Sequence, residues 1–248
     1  MSRDPVSRDK FDAVLFDLDG VLTATAKVHA ACWKKMFDEF LEQYGKRIGK
    51  KLPAFNIETD YRLYVDGKPR LDGIRDFLKS REIDLPEGDP GDSLCEHTVF
   101  GLGNHKNDLV NKVIETEGVE VYRGSIAWAR RIKDEGIRLA VVTSSRNCDA
   151  VLKAAGISDL FEVKVDGNVI RRRNLKGKPA PDSFLIAAKL LEVKPDRSVV
   201  VEDAISGVQA GRAGKFGLVI GIGREGNFEE LKRNGADVVV KDLGEFLA

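Results

Sequence analysis

The strongest constraint on the fold is a series of short apolar runs at residues 13–16, 139–142, 198–201, 216–220 and 237–240, each ending near Gly, Asp, Thr or Ser. Runs this short and this apolar suit strands buried on both faces of a mostly parallel sheet. Parallel strands need crossovers, and helical patterns lie between the runs at 125–135, 148–155, 182–191 and 204–213. The predicted class is therefore α/β, a doubly wound and mostly parallel sheet.

The first run is separated from the second by a long interval that needs a fold of its own. Residues 24–120 carry helical patterns at 26–44, 72–80 and 107–117 around a Gly, Pro and Asp-rich middle at 85–92. They are expected to form a helical cap domain inserted just after strand one, with 1–23 and 121–248 making the α/β catalytic core. Ligands of open α/β sheets bind beyond the carboxyl ends of the strands, so an insert leaving from that end would act as a lid.

Composition excludes several classes of function. Lys plus Arg total 40 and Asp plus Glu total 40, so no overall field draws the chain onto nucleic acid or an anionic membrane. Any anion site must be local. Cys32, Cys95 and Cys148 form no C-x-x-C pair and suggest neither a disulfide framework nor a zinc site. The opening MSRDPVSRDK has no apolar core of a signal peptide, and no stretch nears the roughly 18 apolar residues of a membrane span. A cytoplasmic monomer acting on a small molecule is the expectation.

Chemistry concentrates at the predicted strand ends. FDLDGVLT puts Asp17 and Asp19 at the end of strand one, where carboxylates at i and i+2 face one space and Gly20 lets the chain turn away. Two solvated acids would look the same in isolation. Parallel topology, however, brings Thr143-Ser144-Ser145 and Glu202-Asp203 to the same edge. Magnesium takes hard oxygen ligands, which Asp17 and Asp203 could provide, with helix capping as the ordinary alternative for Asp203. The Thr143 hydroxyl and the Ser144 and Ser145 amides, expected at a helix start, would suit phosphate oxygens or simple capping. Lys178 sits in Lys-Gly-Lys-Pro-Ala-Pro-Asp, a loop that Pro179 and Pro181 stiffen, so its ammonium can be a fixed charge beside a phosphoryl group. Arg171, Arg172, Arg173 and Lys176 are expected to form an exposed basic loop.

These segments resemble the haloacid dehalogenase-like superfamily, whose four motifs match FDLDGVLT, VVTSS, KPAPD and VVEDA in order. The resemblance implies a Rossmann-like core in which Asp17 is the nucleophile, Asp19 the general acid/base, and Thr143 and Lys178 phosphate ligands with Ser144 and Ser145. It implies Mg2+ as cofactor, with Asp17, Asp19, Glu202 and Asp203 as the metal set. Dehalogenation itself generally lacks the second aspartate, so Asp19 points to phosphoryl transfer.

The insert adds a substrate expectation. Thr25-Ala-Lys-Val-His29 is similar to the start of the cap in the β-phosphoglucomutase-like subfamily, which implies that His29 faces the catalytic acid; a helix-surface histidine is the alternative. Gly67-Lys-Pro-Arg70 and His105-Lys106-Asn107-Asp108 resemble the two cap segments that supply cations to a distal phosphate. Arg70 and Lys106 could equally be solvated. Extra sequence at 61–65 and 85–96 departs from the family pattern. The resemblance implies a small phosphorylated sugar as substrate, most like conversion of β-glucose 1-phosphate to glucose 6-phosphate, with a sugar phosphate phosphatase of the same fold as the alternative. A receiver-like signalling module would have no purpose for the insert. A silent domain should have lost at least one of Asp17, Asp19, Lys178 and Asp203.

Overall fold

A computed structural model describes residues 4–224 and 226–247. The chain divides into two compact units: residues up to Thr25 with those from Val119 onward, and the intervening Ala26–Gly118.

The intervening unit is helical. It contains α1 (Thr25–Ile48), a π-helix (Ile57–Val65), α2 (Arg70–Ser80) and α3 (Val99–Glu117). Trp33, Phe37 and Phe40 fall at i, i+4 and i+7 of α1, which puts them on one stripe. Phe37 is the hub: its ring centroid lies 5.4 Å from Trp33, 5.0 Å from Phe55 and 4.1 Å from Phe77. The unexpected feature is the π-helix, which absorbs the extra sequence at 61–65. Asn56 caps it by accepting from the amides of Glu58 and Thr59. Asp60, buried, accepts from Asn56 N and from Arg81 Nη2 at 2.6 Å. Those polar anchors hold a wide helical turn that sequence periodicity does not reveal. α3 also starts eight residues before the predicted 107, because Thr98 caps it through Gly101 N while Gly101 and Gly103 hide its helical character.

The other unit is the sheet. Its strands are β1 (Ala13–Phe16), β2 (Arg138–Val142), β3 (Val163–Val165), β4 (Ser198–Glu202), β5 (Leu218–Ile222) and β6 (Val238–Val240). All neighbours are parallel, in the order β3-β2-β1-β4-β5-β6. Helices α4 (Arg123–Asp134), α5 (Cys148–Ala154), α6 (Gly167–Arg172), α7 (Asp182–Leu190), α8 (Ile205–Ala213) and α9 (Phe228–Arg233) connect them. β1 is central and fully buried, which is why its sequence is continuously apolar. The edge strand β3 was not expected; at three residues, VKV, it is too short for a pattern.

Register fixes the site. Phe16 stands opposite Val141 of β2 and Val201 of β4, and the Asp17 amide extends the ladder to Val201 O at 2.9 Å. Asp17, Glu202 and the residue after β2, Thr143, therefore finish at one edge. The strand order reverses between β1 and β4, the crevice where open α/β sheets bind ligands. No helix among the described residues is long and apolar enough to cross a membrane.

Candidate active site

At that crevice the chain turns immediately after Asp19. Gly20 has φ +92°, a left-handed value that suits glycine, and a Cβ there would fall 1.7 Å from Asp203 Oδ2. Only a residue without a side chain lets the β1 turn pass the Asp203 carboxylate. Asp203 follows β4 directly; the capping position of α8 is Ala204, with no side-chain capping hydrogen bond.

Lys178 is the electrostatic centre. Buried in the loop before α7, its Nζ donates to Asp17 Oδ1 at 2.6 Å, to Glu202 Oε1, and to Val142 O at 3.3 Å. Glu202 is held further by the amides of Asp203 and Ala204, 3.0 and 3.1 Å from Oε2. Burial pushes the Asp17 and Glu202 carboxyls above the ordinary carboxylate range, against the pull of the ammonium between them. Burial also opposes charge on Lys178, but the two acids outweigh it and raise its pKa.

Oxygens of Asp17, Glu202 and Asp203 all lie within 4.8 Å of one another. Ionised, these acids exceed the single ammonium by two negative charges, an imbalance that buried carboxylates bear poorly. A hard dication with oxygen preference matches that donor set in charge and chemistry, so the residues fit magnesium.

Asp19 lies outside that group. Its Oδ1 accepts from the Thr25 hydroxyl and its Oδ2 from the Thr143 hydroxyl at 3.3 Å, while Thr25 Oγ1 is 2.7 Å from Thr23 Oγ1. The two aspartates of FDLDG thus have different environments: one on a buried ammonium, one on hydroxyls. Thr143 Oγ1 also accepts from Ser145 N at 3.1 Å. Ser144 and Ser145 occupy the turn before α5, which begins only at Cys148, so their amides belong to a loop and not to the expected helix start. The basic segment partly folds, since Arg171 and Arg172 end α6.

His29, Arg70 and Lys106 come together within the helical unit. Lys106, buried, donates to His29 Nδ1 at 2.6 Å and lies 5.0 Å over the Trp33 ring. Burial, then the charges of Lys106 and Arg70, hold the His29 imidazole well below its usual pKa. Lys106 is thus not a solvated surface charge, while Arg70 is half-buried.

The haloacid dehalogenase-like hydrolase profile matches residues 11–215. The chain belongs to the haloacid dehalogenase-like hydrolase family. A β-phosphoglucomutase of Mycobacterium bovis is 49% identical over 242 residues, covering 96% of this chain and 92% of its own. The β-phosphoglucomutase of Bacillus subtilis is 28% identical over 94% of this chain and 90% of its own. Among solved structures, β-phosphoglucomutase from Clostridium difficile superposes with a TM-score of 0.73 at 25% identity, covering 95% of this chain and 92% of that one. As a member of this family, the protein is an enzyme, a phosphotransferase or phosphatase.

Two contributors to this haloacid dehalogenase-like site escaped sequence reasoning. Thr25 holds Asp19, whereas the sequence marked it only as the first residue of the segment resembling the start of the cap. Gly207 in α8 lies against Glu202: a Cβ there would fall 1.8 Å from Oε1. Nothing in the order of the residues announces that approach.

Proposed function

We propose that the protein transfers a phosphoryl group of a hexose phosphate through a phospho-aspartate on Asp17, converting β-glucose 1-phosphate to glucose 6-phosphate. The observation that carries this reading is the split between the two carboxylates. Asp17 sits on Lys178, whose charge offsets the repulsion between a carboxylate and a phosphoryl group. Asp19, two residues on, is held by the hydroxyls of Thr25 and Thr143, a setting from which a carboxyl can exchange protons. Paired acids in unlike environments are the usual sign of divided roles.

In the first step Asp19 takes the proton of the C6 hydroxyl of β-glucose 1-phosphate as that oxygen attacks the phosphorus of the phospho-aspartate, the bond from phosphorus to the Asp17 oxygen breaks, and a hexose bisphosphate forms. In the second, an Asp17 oxygen attacks the C1 phosphorus of that bisphosphate, the bond from phosphorus to the C1 oxygen breaks, and Asp19 returns the proton to that oxygen, which leaves glucose 6-phosphate and restores the phospho-aspartate. Thr143 and the Ser144 and Ser145 amides are proposed to hold the phosphoryl oxygens, and Glu202 to orient Lys178. Magnesium, held by Asp17, Glu202 and Asp203, would neutralise charge on the transferring group. Arg70 and Lys106 are proposed to bind the second phosphate of a bisphosphate, the helical unit acting as a cap. The near full-length relation to a β-phosphoglucomutase at 49% identity supports the isomerase over a plain phosphatase.

A product screen across sugar phosphates tests the reading. With magnesium, β-glucose 1-phosphate should give glucose 6-phosphate with little free phosphate, and chelator should abolish the reaction until magnesium is restored. Release of phosphate without isomerisation would make the protein a sugar phosphate phosphatase, since water would then outcompete the second hydroxyl. Full activity in chelator would sink the metal assignment.

A further inference from the structure

Arg224, just after β5, is absent from every motif above, yet its guanidinium makes five hydrogen bonds among the described residues. Its Nε donates to Gly20 O at 3.1 Å and its Nη2 to Val21 O at 3.4 Å and Ser125 Oγ at 3.2 Å. Its Nη1 donates to Lys241 O at 3.0 Å and Asp242 Oδ2 at 2.7 Å. The guanidinium carbon stands 3.4 Å from the centroid of the Tyr122 ring. Asp242 is fixed in turn: its Oδ1 accepts from Gly244 N at 2.8 Å and lies where a Cβ on Gly124 would be 1.9 Å away.

The contacts converge on one short piece of backbone. Gly20 and Val21 directly follow Asp19, and their carbonyls must be satisfied because the turn is buried. The same turn is tied to the returning segment before α4 by Tyr122 N to Leu22 O at 3.0 Å and Ala24 N to Glu120 O at 2.9 Å. Arg224 thus grips the outgoing turn by its carbonyls and the returning segment by the face of Tyr122. A planar five-donor fork can serve both carbonyls and the Asp242 carboxylate at once, which a single ammonium cannot.

We infer that Arg224 is a positioning residue for Asp19: by clamping the Gly20 and Val21 carbonyls it fixes the turn that aims the Asp19 carboxylate. This inference rests on the acid/base role proposed for Asp19. Its consequence is a selective one. A misaimed acid harms reactions whose leaving oxygen needs a proton, and spares those whose leaving group departs as a stable anion.

The test compares single-turnover rates of Asp17 phosphorylation by β-glucose 1-phosphate and by p-nitrophenyl phosphate, with magnesium, in Arg224→Met, Arg224→Lys and Asp19→Ala. Methionine keeps packing over Tyr122 and removes the donors. Arg224→Met should lose about ten- to a hundredfold with the sugar phosphate, and under about threefold with the aryl ester, whose leaving group needs no proton. Arg224→Lys should recover part of the loss. An equal fall on both substrates, or none on either, would overturn the inference. If Asp19→Ala itself fails to discriminate, the acid/base reading is wrong. The clamp is then decided by amide hydrogen exchange over residues 18–25: faster exchange in Arg224→Met upholds it, and unchanged exchange removes it.

Discussion

The two units solve burial in opposite ways. The helical unit fills its interior with stacked rings around Phe37, while the sheet unit ends its central strands in a buried ionic knot of Asp17, Lys178 and Glu202. Rings gain from burial through lost hydration and dispersion. Buried ions cost desolvation and rarely add stability over apolar packing. A fold that keeps such a knot at a strand edge keeps it for chemistry, so chemistry and stability should separate between the units under mutation.

The largest effect should come from the knot. Asp17→Asn preserves shape and leaves Lys178 paired with Glu202, but it removes the nucleophile. Turnover should fall by at least about a thousandfold, with the melting temperature nearly unchanged; activity within tenfold of wild type would break the comparison. Phe37→Ala should do the reverse, costing about 3–5 kcal/mol of stability. Hydrogen exchange should localise that loss to residues 26–118, and a uniform loss across both units would show that they do not differ as described.

Lys106 breaks the helical unit's own rule, being a buried cation beside a neutral His29. Lys106→Ala should cost roughly 1.5–3 kcal/mol of apparent binding to a hexose bisphosphate, as a lost charge-assisted contact does, with little change for p-nitrophenyl phosphate. Equal loss on both would reassign Lys106 to structure.

The smallest effect concerns a half-exposed ion pair at the foot of β1. Arg197 donates to Asp12 through Nε and Nη2, and that hydrogen bonding, with a smaller share from Arg8, lowers the Asp12 pKa from 3.8 to about 2. A depressed carboxyl contributes stability that is present above pH 3.8 and lost as pH falls through about 2. Arg197→Met should therefore lower stability slightly at neutral pH and flatten the acid limb of the stability profile between those values. Solvent screening keeps the change small. An identical acid limb in the variant would deny the pair any role.

Legibility followed the same division. Five of the sheet's strands were readable because buried parallel strands leave apolar runs, and three of its functional segments stand at their ends. β3 and the π-helix were not. One is too short for a pattern, and the other depends on Asp60 meeting Arg81 at the end of the next helix. Thr25, Gly207 and Arg224 were missed for a related reason: each acts on a group far from it in its local pattern, through a hydroxyl, an absent Cβ and a guanidinium fork.

The sequence alone determined the α/β class, the helical insert and the identities of the acids and hydroxyls at the strand ends and of the lysine in the loop before α7, since these follow from hydrophobic period and from chemistry a residue carries with it. Only the tertiary structure decided how they are shared: that Lys178 bridges Asp17 and Glu202, that Asp19 is held apart on Thr25 and Thr143, and that Arg224 grips the turn between β1 and α1. Such pairings depend on which atoms the folded sheet brings within hydrogen-bonding reach, and linear order does not encode a distance of 2.6 Å between residues 161 positions apart.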